Sequence, residues 1–124
     1  MAVTVVTVDD QAVFRAAARD VIEATPGFES VGEATSCQEA LRVIDEVDPR
    51  LVLVDVRMPD VDGVETAMRL RESHPHVVVV LISIDELSRV PSTVSDSGAA
   101  AFVRKQDFCP GMLRDLWETH GRGD

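Results

Sequence analysis

The sequence is short of positive charge, of cysteine and of long apolar runs, and each shortage closes off a class of protein. Twelve Lys and Arg stand against 22 Asp and Glu, a net charge of −10. No basic surface is available to neutralise phosphates, so direct nucleic-acid binding is not expected. The same charge argues against an anionic membrane surface, and no apolar stretch approaches the roughly 20 residues that span a bilayer. Two cysteines, Cys37 and Cys109, stand too far apart for a metal-ligand spacing and read as plain thiols. The opening Met1 to Val8 lacks a basic leader and runs into Asp9 and Asp10, so it reads as a strand, not a signal peptide, and a cytoplasmic location is expected. Internal repeats, low-complexity tracts and linkers are lacking too. Lysine is the scarcest charge: eleven of the twelve basic residues are arginines, and Lys105 is the exception.

What is present fits one globular domain. At 124 residues with 45% apolar content, the chain has room for one core and not two, expected over residues 1–124 with an ordered core over about 3–119. Five β-branched or apolar runs recur at intervals of roughly 25 residues, the length of a βα unit. They are Val3 to Val8, Ser30 to Ala34, Leu51 to Val54, Val77 to Ile82 and Ala100 to Val103. The first, third and fourth are nearly unbroken Val, Leu and Ile, the pattern of parallel strands covered on both faces. The second is more polar, which suits a sheet edge.

Between the runs the apolar period changes to three or four, predicting amphipathic helices: Val13, Ala17 and Val21 on the first, Ala40, Leu41, Ile44 and Val47 on the second. Asp62-Gly-Val-Glu65 predicts a capping box at the start of the third. The final helix opens at Pro110, carries Met112, Leu113, Leu116 and Trp117 as a packing stripe, and stops at Gly121. The connector from Asp85 to Gly98 is the weak one, because Pro91 and four serines oppose a regular helix there. Right-handed crossovers in five βα units sandwich a parallel sheet between helices.

In an open α/β sheet, ligands bind beyond the carboxyl ends of the strands. Strand one ends at Asp9 and Asp10, strand three at Asp55, strand four at Ser83, and strand five just before Arg104 and Lys105. Three carboxylates at one sheet end repel each other unless a cation shares the site. Oxygen-only ligands select a hard divalent ion, Mg2+. Adding a phosphoryl group gives each residue a role: Asp55 as nucleophile, Lys105 and the metal as charge neutralisers, Ser83 as hydrogen-bond donor. Taken singly, each residue has a plainer reading. Asp9 and Asp10 suit a solvated turn with Asp10 as a helix cap, Asp55 suits a turn before Pro59, and Phe102 suits the core.

The strings Val8-Asp-Asp-Gln11, Leu53-Val-Asp-Val-Arg-Met-Pro-Asp-Val-Asp-Gly63, Leu81-Ile-Ser83 and Phe102-Val-Arg-Lys105 resemble the receiver domain of two-component response regulators, most closely its NarL-type subfamily. The resemblance covers essentially the whole chain. It implies a flavodoxin-like α/β fold, a five-stranded parallel sheet of order 2-1-3-4-5 with helices on both faces. The NarL-type subfamily usually carries a C-terminal DNA-binding helix-turn-helix, for which 124 residues leave no room, so a stand-alone receiver without an output domain is expected. The resemblance implies Asp55 as phosphoacceptor, served by a sensor histidine kinase or phosphotransfer protein. Asp10, Asp55 and the backbone carbonyl of Arg57 would bind Mg2+, with Asp9 helping through water. Ser83 and Lys105 would hold the acyl phosphate. Ser83 and Phe102 would then move together and change the surface around the 85–98 segment, the fifth strand and the final helix, signalling to a downstream protein.

Three residues depart from the common family pattern. Ile84 follows the hydroxyl residue where many receivers carry a small side chain, and its branching narrows access to the phosphoryl group. Gln106 stands where proline often follows the lysine, so a trans peptide is expected, a change that bears on where Lys105 points. Pro91 lies in the element that family members usually rearrange. These departures motivate an alternative, a phosphorylation-independent adaptor of receiver shape. A Mg2+-dependent phosphohydrolase using Asp55 is a third reading, opposed by Arg57 where such enzymes carry a second aspartate. Arg57 itself is read either as an influence on water attack at the acyl phosphate or as a loop residue pairing with Asp60.

Overall fold

The computed structural model describes residues 2–58, 60–84 and 98–121. Five strands, β1 (Val3–Val8), β2 (Phe28–Ala34), β3 (Leu51–Asp55), β4 (Val78–Ser83) and β5 (Ala101–Arg104), form one parallel sheet in the order β2-β1-β3-β4-β5. Among the described residues four α-helices cover it: α1 (Ala12–Ala24), α2 (Cys37–Val47), α3 (Gly63–Ser73) and α4 (Pro110–His120). The expected strand order and two-sided covering are what the structure has.

Alternation along the strands divides the core in two. Val52 and Val54 of β3, with Val6, Val8, Val79 and Leu81, pack against Ala40 and Ile44 of α2 and Ala67 and Leu70 of α3. Leu51 and Leu53 face the other way, with Val5, Val80 and Ile82, onto Ala18 and Ile22 of α1 and Leu113 and Leu116 of α4. Every residue of β3 and β4 is buried, as their unbroken apolar runs require. Polar β2 occupies one edge, as expected, but begins at Phe28, two residues early, because Phe28 pairs with Val3. β3 runs one residue past the apolar run Leu51 to Val54, so Asp55 is itself a strand residue, paired with Ile82.

Two helical faces differ from the expected ones. On α1 the buried stripe is Ala18 and Ile22, with Phe14 and Val21 packed alongside, while Val13 is 85% exposed. Phe14, Ala18 and Ile22 stand four residues apart and share one side, and Val13 and Ala17 are rotated off it by one position. On α2, Val47 is 36% exposed where the helix ends at the left-handed Asp48 (φ 46°). The capping box also moves. Asp62 accepts from Glu65 N at 2.8 Å, but the Glu65 carboxylate turns to Arg69 one helical turn on, at 3.1 Å. A closer approach to a capping box belongs to α2, where Ser36 Oγ accepts from Glu39 N and Glu39 Oε1 accepts from the N–H of Thr35, one residue before the cap, at 2.6 Å. The Thr35 N–H first, and then the Thr35 hydroxyl, hold the Glu39 carboxyl below its ordinary pKa.

Gly121 does end α4, for a reason other than backbone handedness. Its φ is −62°, and a β-carbon there would run into the Trp117 carbonyl and ring. Trp117 packs against the second core, as its stripe predicted. The expected irregular fourth helix, Pro91 included, falls on 85–97 and lies outside the described residues, as does Pro59.

Candidate functional site at the carboxyl end of the sheet

β1 delivers Asp9 fully buried and Asp10 exposed. The chain turns sharply there: Asp9 Oδ1 accepts from Gln11 N at 2.8 Å, the local bond that suits aspartate to strand ends. Arg15, on the first turn of α1, donates to the Asp9 carbonyl at 2.8 Å and is itself held by Glu33 of β2 at 3.3 Å. This polar brace fixes the acidic turn to the sheet edge.

β3 delivers Asp55, 5% exposed, whose Oδ1 accepts from Arg57 N at 3.1 Å. Behind it, Val56 N donates to Ile82 O and Gly63 N donates to Val56 O at 2.7 Å. The start of α3 is thereby pressed onto the Asp55 backbone so closely that a β-carbon on Gly63 would overlap the Asp55 carbonyl. Asp60, in the same loop, accepts from Cys37 N at 3.1 Å and Gln38 N at 3.2 Å. It thus caps α2 across the fold, and the Cys37 N–H foremost keeps its carboxyl below the ordinary range.

β5 ends where Lys105 opens a 3-10 turn, Lys105–Asp107. No cis peptide occurs among the described residues, so the Lys105–Gln106 bond is trans as expected. Lys105 still points inward. Its Nζ lies 2.6 Å from Asp9 Oδ2, 3.4 Å from Asp55 Oδ2 and 3.2 Å from Gln11 Oε1. The contact with Asp9 is a close ion pair between a fully buried carboxylate and the ammonium.

Ser83 is buried at the end of β4, one position beyond the residue that pairs with Asp55. Phe102 stands apart from this polar group, half-buried against the first core and paired in register with Leu81. Ile84 is 63% exposed at the end of β4, with most of its side chain in solvent.

The electrostatics follow from burial and crowding. Burial raises the Asp55 pKa, the Arg57 N–H lowers it, Asp9 raises it and Lys105 lowers it; the net direction is up. One oxygen from each of Asp9, Asp10 and Asp55 lies within 4.8 Å of the others. Three carboxylates facing one ammonium leave two negative charges, the deficit that a divalent cation fills. The all-oxygen donor set, three carboxylates gathered at that spacing, fits Mg2+.

Sequence reading located Asp9, Asp10, Asp55, Ser83 and Lys105, which the fold gathers at one end of the sheet. It missed the supports: Arg15, Gln11, Asp60 and Gly63. Gln11 and Gly63 stood inside quoted motifs without a role. Nothing in the sequence signalled that Asp60 caps a helix 23 residues earlier.

Comparison with known proteins agrees with this geometry. The family model described as the response regulator receiver domain matches residues 5–114. The response regulator GacA of Pseudomonas viridiflava is 33% identical over 103 residues, 83% of this chain and 48% of GacA. The nitrate/nitrite response regulator protein NarL of Escherichia coli strain K12 is 28% identical over 116 residues, 94% of this chain and 54% of NarL. The chain spans about half the length of these curated relatives. The signal receiver domain of NarL from Mycobacterium tuberculosis matches with a TM-score of 0.85 and 28% identity, covering 95% of each chain.

Proposed function

This chain belongs to the response regulator receiver domain family of two-component systems, and from that premise we propose that Asp55 accepts a phosphoryl group from the phosphohistidine of a sensor histidine kinase or phosphotransfer protein. The observation that carries the reading is the Lys105 ammonium lying between Asp9 and Asp55 at the end of the sheet. Asp55 Oδ1 is occupied by the Arg57 N–H, which leaves Oδ2, on the Lys105 side, as the attacking oxygen. A bond forms from that oxygen to phosphorus while the phosphorus–nitrogen bond of the donor breaks, and the histidine leaves. Lys105 neutralises the transferred oxygens, and Ser83 donates a hydrogen bond to one of them.

Asp10, Asp55 and the Arg57 carbonyl would hold Mg2+, Asp9 contributing through water; bound there, the ion supplies charge neutralisation for the phosphoryl oxygens. The protein acts as a switch, not as an enzyme on a metabolite. Ser83 shifts toward the phosphoryl group, Phe102 follows, and the altered surface changes affinity for a downstream protein. Each tenfold change in that affinity requires about 1.4 kcal/mol of differential interaction.

The test is intact mass after incubation with Mg2+ and acetyl phosphate. Wild type gains one phosphoryl group and Asp55→Asn gains none. A phosphohistidine protein donor forms a second arm, because small donors differ in reactivity. If neither donor modifies wild type, the switch reading fails and the receiver-shaped adaptor takes its place.

A further inference from the structure

We propose that Phe14 is a positioning residue for phosphoryl transfer, its ring forming the apolar floor that holds the Lys105 ammonium between Asp9 and Asp55. Lysine carries its charge on a flexible four-carbon stem, and three oxygens compete for it here. Asp9 Oδ2 is nearest at 2.6 Å, with Gln11 Oε1 at 3.2 Å and Asp55 Oδ2 at 3.4 Å. Attraction to the nearest charge alone would draw Nζ towards β1, away from the oxygen that must receive the phosphoryl group. The fourth neighbour is an aromatic face: Nζ lies 4.6 Å from the centroid of the Phe14 ring, within cation–π range.

That ring is itself fixed. Phe14 packs against the second core, and the buried Phe108 ring meets it at 6.3 Å and 49°. Phe108 N in turn donates to the Lys105 carbonyl, closing the turn from which Lys105 projects. One aromatic pair therefore ties α1 to the backbone that carries the ammonium. The Lys105 side chain is 9% exposed, enclosed by Asp9, Asp55 and the Phe14 ring with no phosphoryl group present.

The inference rests on Asp55 being the phosphoacceptor, and one experiment separates the two. Lys105 is the only lysine in the sequence, so protein labelled with 13C,15N-lysine gives one side-chain signal set. In wild type the Lys105 Cε protons resonate upfield of a solvated lysine, shielded by the ring. Phe14→Tyr keeps that shift, whereas Phe14→Leu retains apolar bulk without the face and removes it. Phosphoryl uptake from acetyl phosphate with Mg2+ falls about three- to tenfold in Phe14→Leu and stays within about twofold in Phe14→Tyr. Thermal melts verify folding, and Phe14→Met replaces the leucine variant should that one unfold. An unshifted lysine in wild type, or equal uptake by wild type and Phe14→Leu, overturns the proposal. If wild type takes up no phosphoryl group, the reading of Asp55 fails while the lysine signal still decides whether Phe14 holds Lys105.

Discussion

Gly63→Ala and Gly111→Ala are the same substitution near the start of two helices, and the structure gives them opposite signs. Helix propensity alone favours alanine at both by about 0.5–1 kcal/mol. At Gly111, the second residue of α4, an added β-carbon meets nothing within 4 Å, so that gain stands. At Gly63, the first residue of α3, the β-carbon would overlap the Asp55 carbonyl oxygen and lie 2.7 Å from Val56 Cα. These are backbone atoms that cannot swing aside, so α3 must retreat. Overpacking of this kind costs about 1–3 kcal/mol. Loss of the Gly63 N–Val56 O bond, 2.7 Å long, adds about 1 kcal/mol. After the propensity gain, Gly63→Ala is destabilised by about 2 kcal/mol, which for a domain of this size lowers Tm by about 6–10 °C. Chemical denaturation with thermal melts measures both variants. Its phosphoryl uptake falls as well, because the displaced backbone carries Asp55. A Gly63→Ala protein as stable as wild type, or a Gly111→Ala protein that loses more than about 1 kcal/mol, refutes the reasoning.

Four further outcomes follow from the same contacts. Asp55 has a raised pKa in the folded protein, from burial first with Asp9 adding to it, so the native state holds its proton longer than the unfolded chain. Stability then falls as pH rises from the ordinary carboxylate range through the folded pKa, and Asp55→Asn is more stable than wild type at neutral pH in metal-free melts. Asp60 has the opposite sign: its cap is fully present above the ordinary carboxylate range and lost as pH falls through the depressed folded pKa. Asp60→Ala therefore costs about 1 kcal/mol at pH 7, and pH-resolved denaturation shows the difference closing in acid. Thr7 Oγ1 is buried without a hydrogen-bond partner, so Thr7→Val gains about 1 kcal/mol in urea denaturation. Mg2+ at ten times its Kd raises wild-type stability by about 1.4 kcal/mol, and Asp10→Asn loses most of that gain in the same melts.

What sequence disclosed and what it concealed divide along a physical line. Unbroken runs such as Leu51 to Val54 announce two-sided burial because every position must be apolar, and strand ends can be read for chemistry because a parallel sheet points them all one way. Asp9, Asp55, Ser83 and Lys105 were legible for that reason. The side of α1 that faces the core was not, since Val13 and Phe14 are both apolar and only the packed sheet chooses between them. Nor was the role of Glu65, which has an arginine four residues ahead that its capping role ignores. Contacts between distant segments left the faintest trace. Asp60 on the α2 N-terminus, Arg15 on the Asp9 carbonyl and Phe14 beneath Lys105 depend on where the crossovers set one element against another. Gln106 shows the reverse case: a departure from the family pattern expected to redirect Lys105 leaves its ammonium 3.4 Å from Asp55.

The central claim is that one carboxylate of the three, Asp55, carries the phosphoryl group. Reducing the phosphorylated protein with borohydride converts an aspartyl phosphate to homoserine, and peptide mass spectrometry then locates it. The account predicts homoserine at position 55 alone, formed only when Mg2+ was present during phosphorylation. Homoserine at position 9 or 10, or its formation at 55 without any divalent ion, would contradict it.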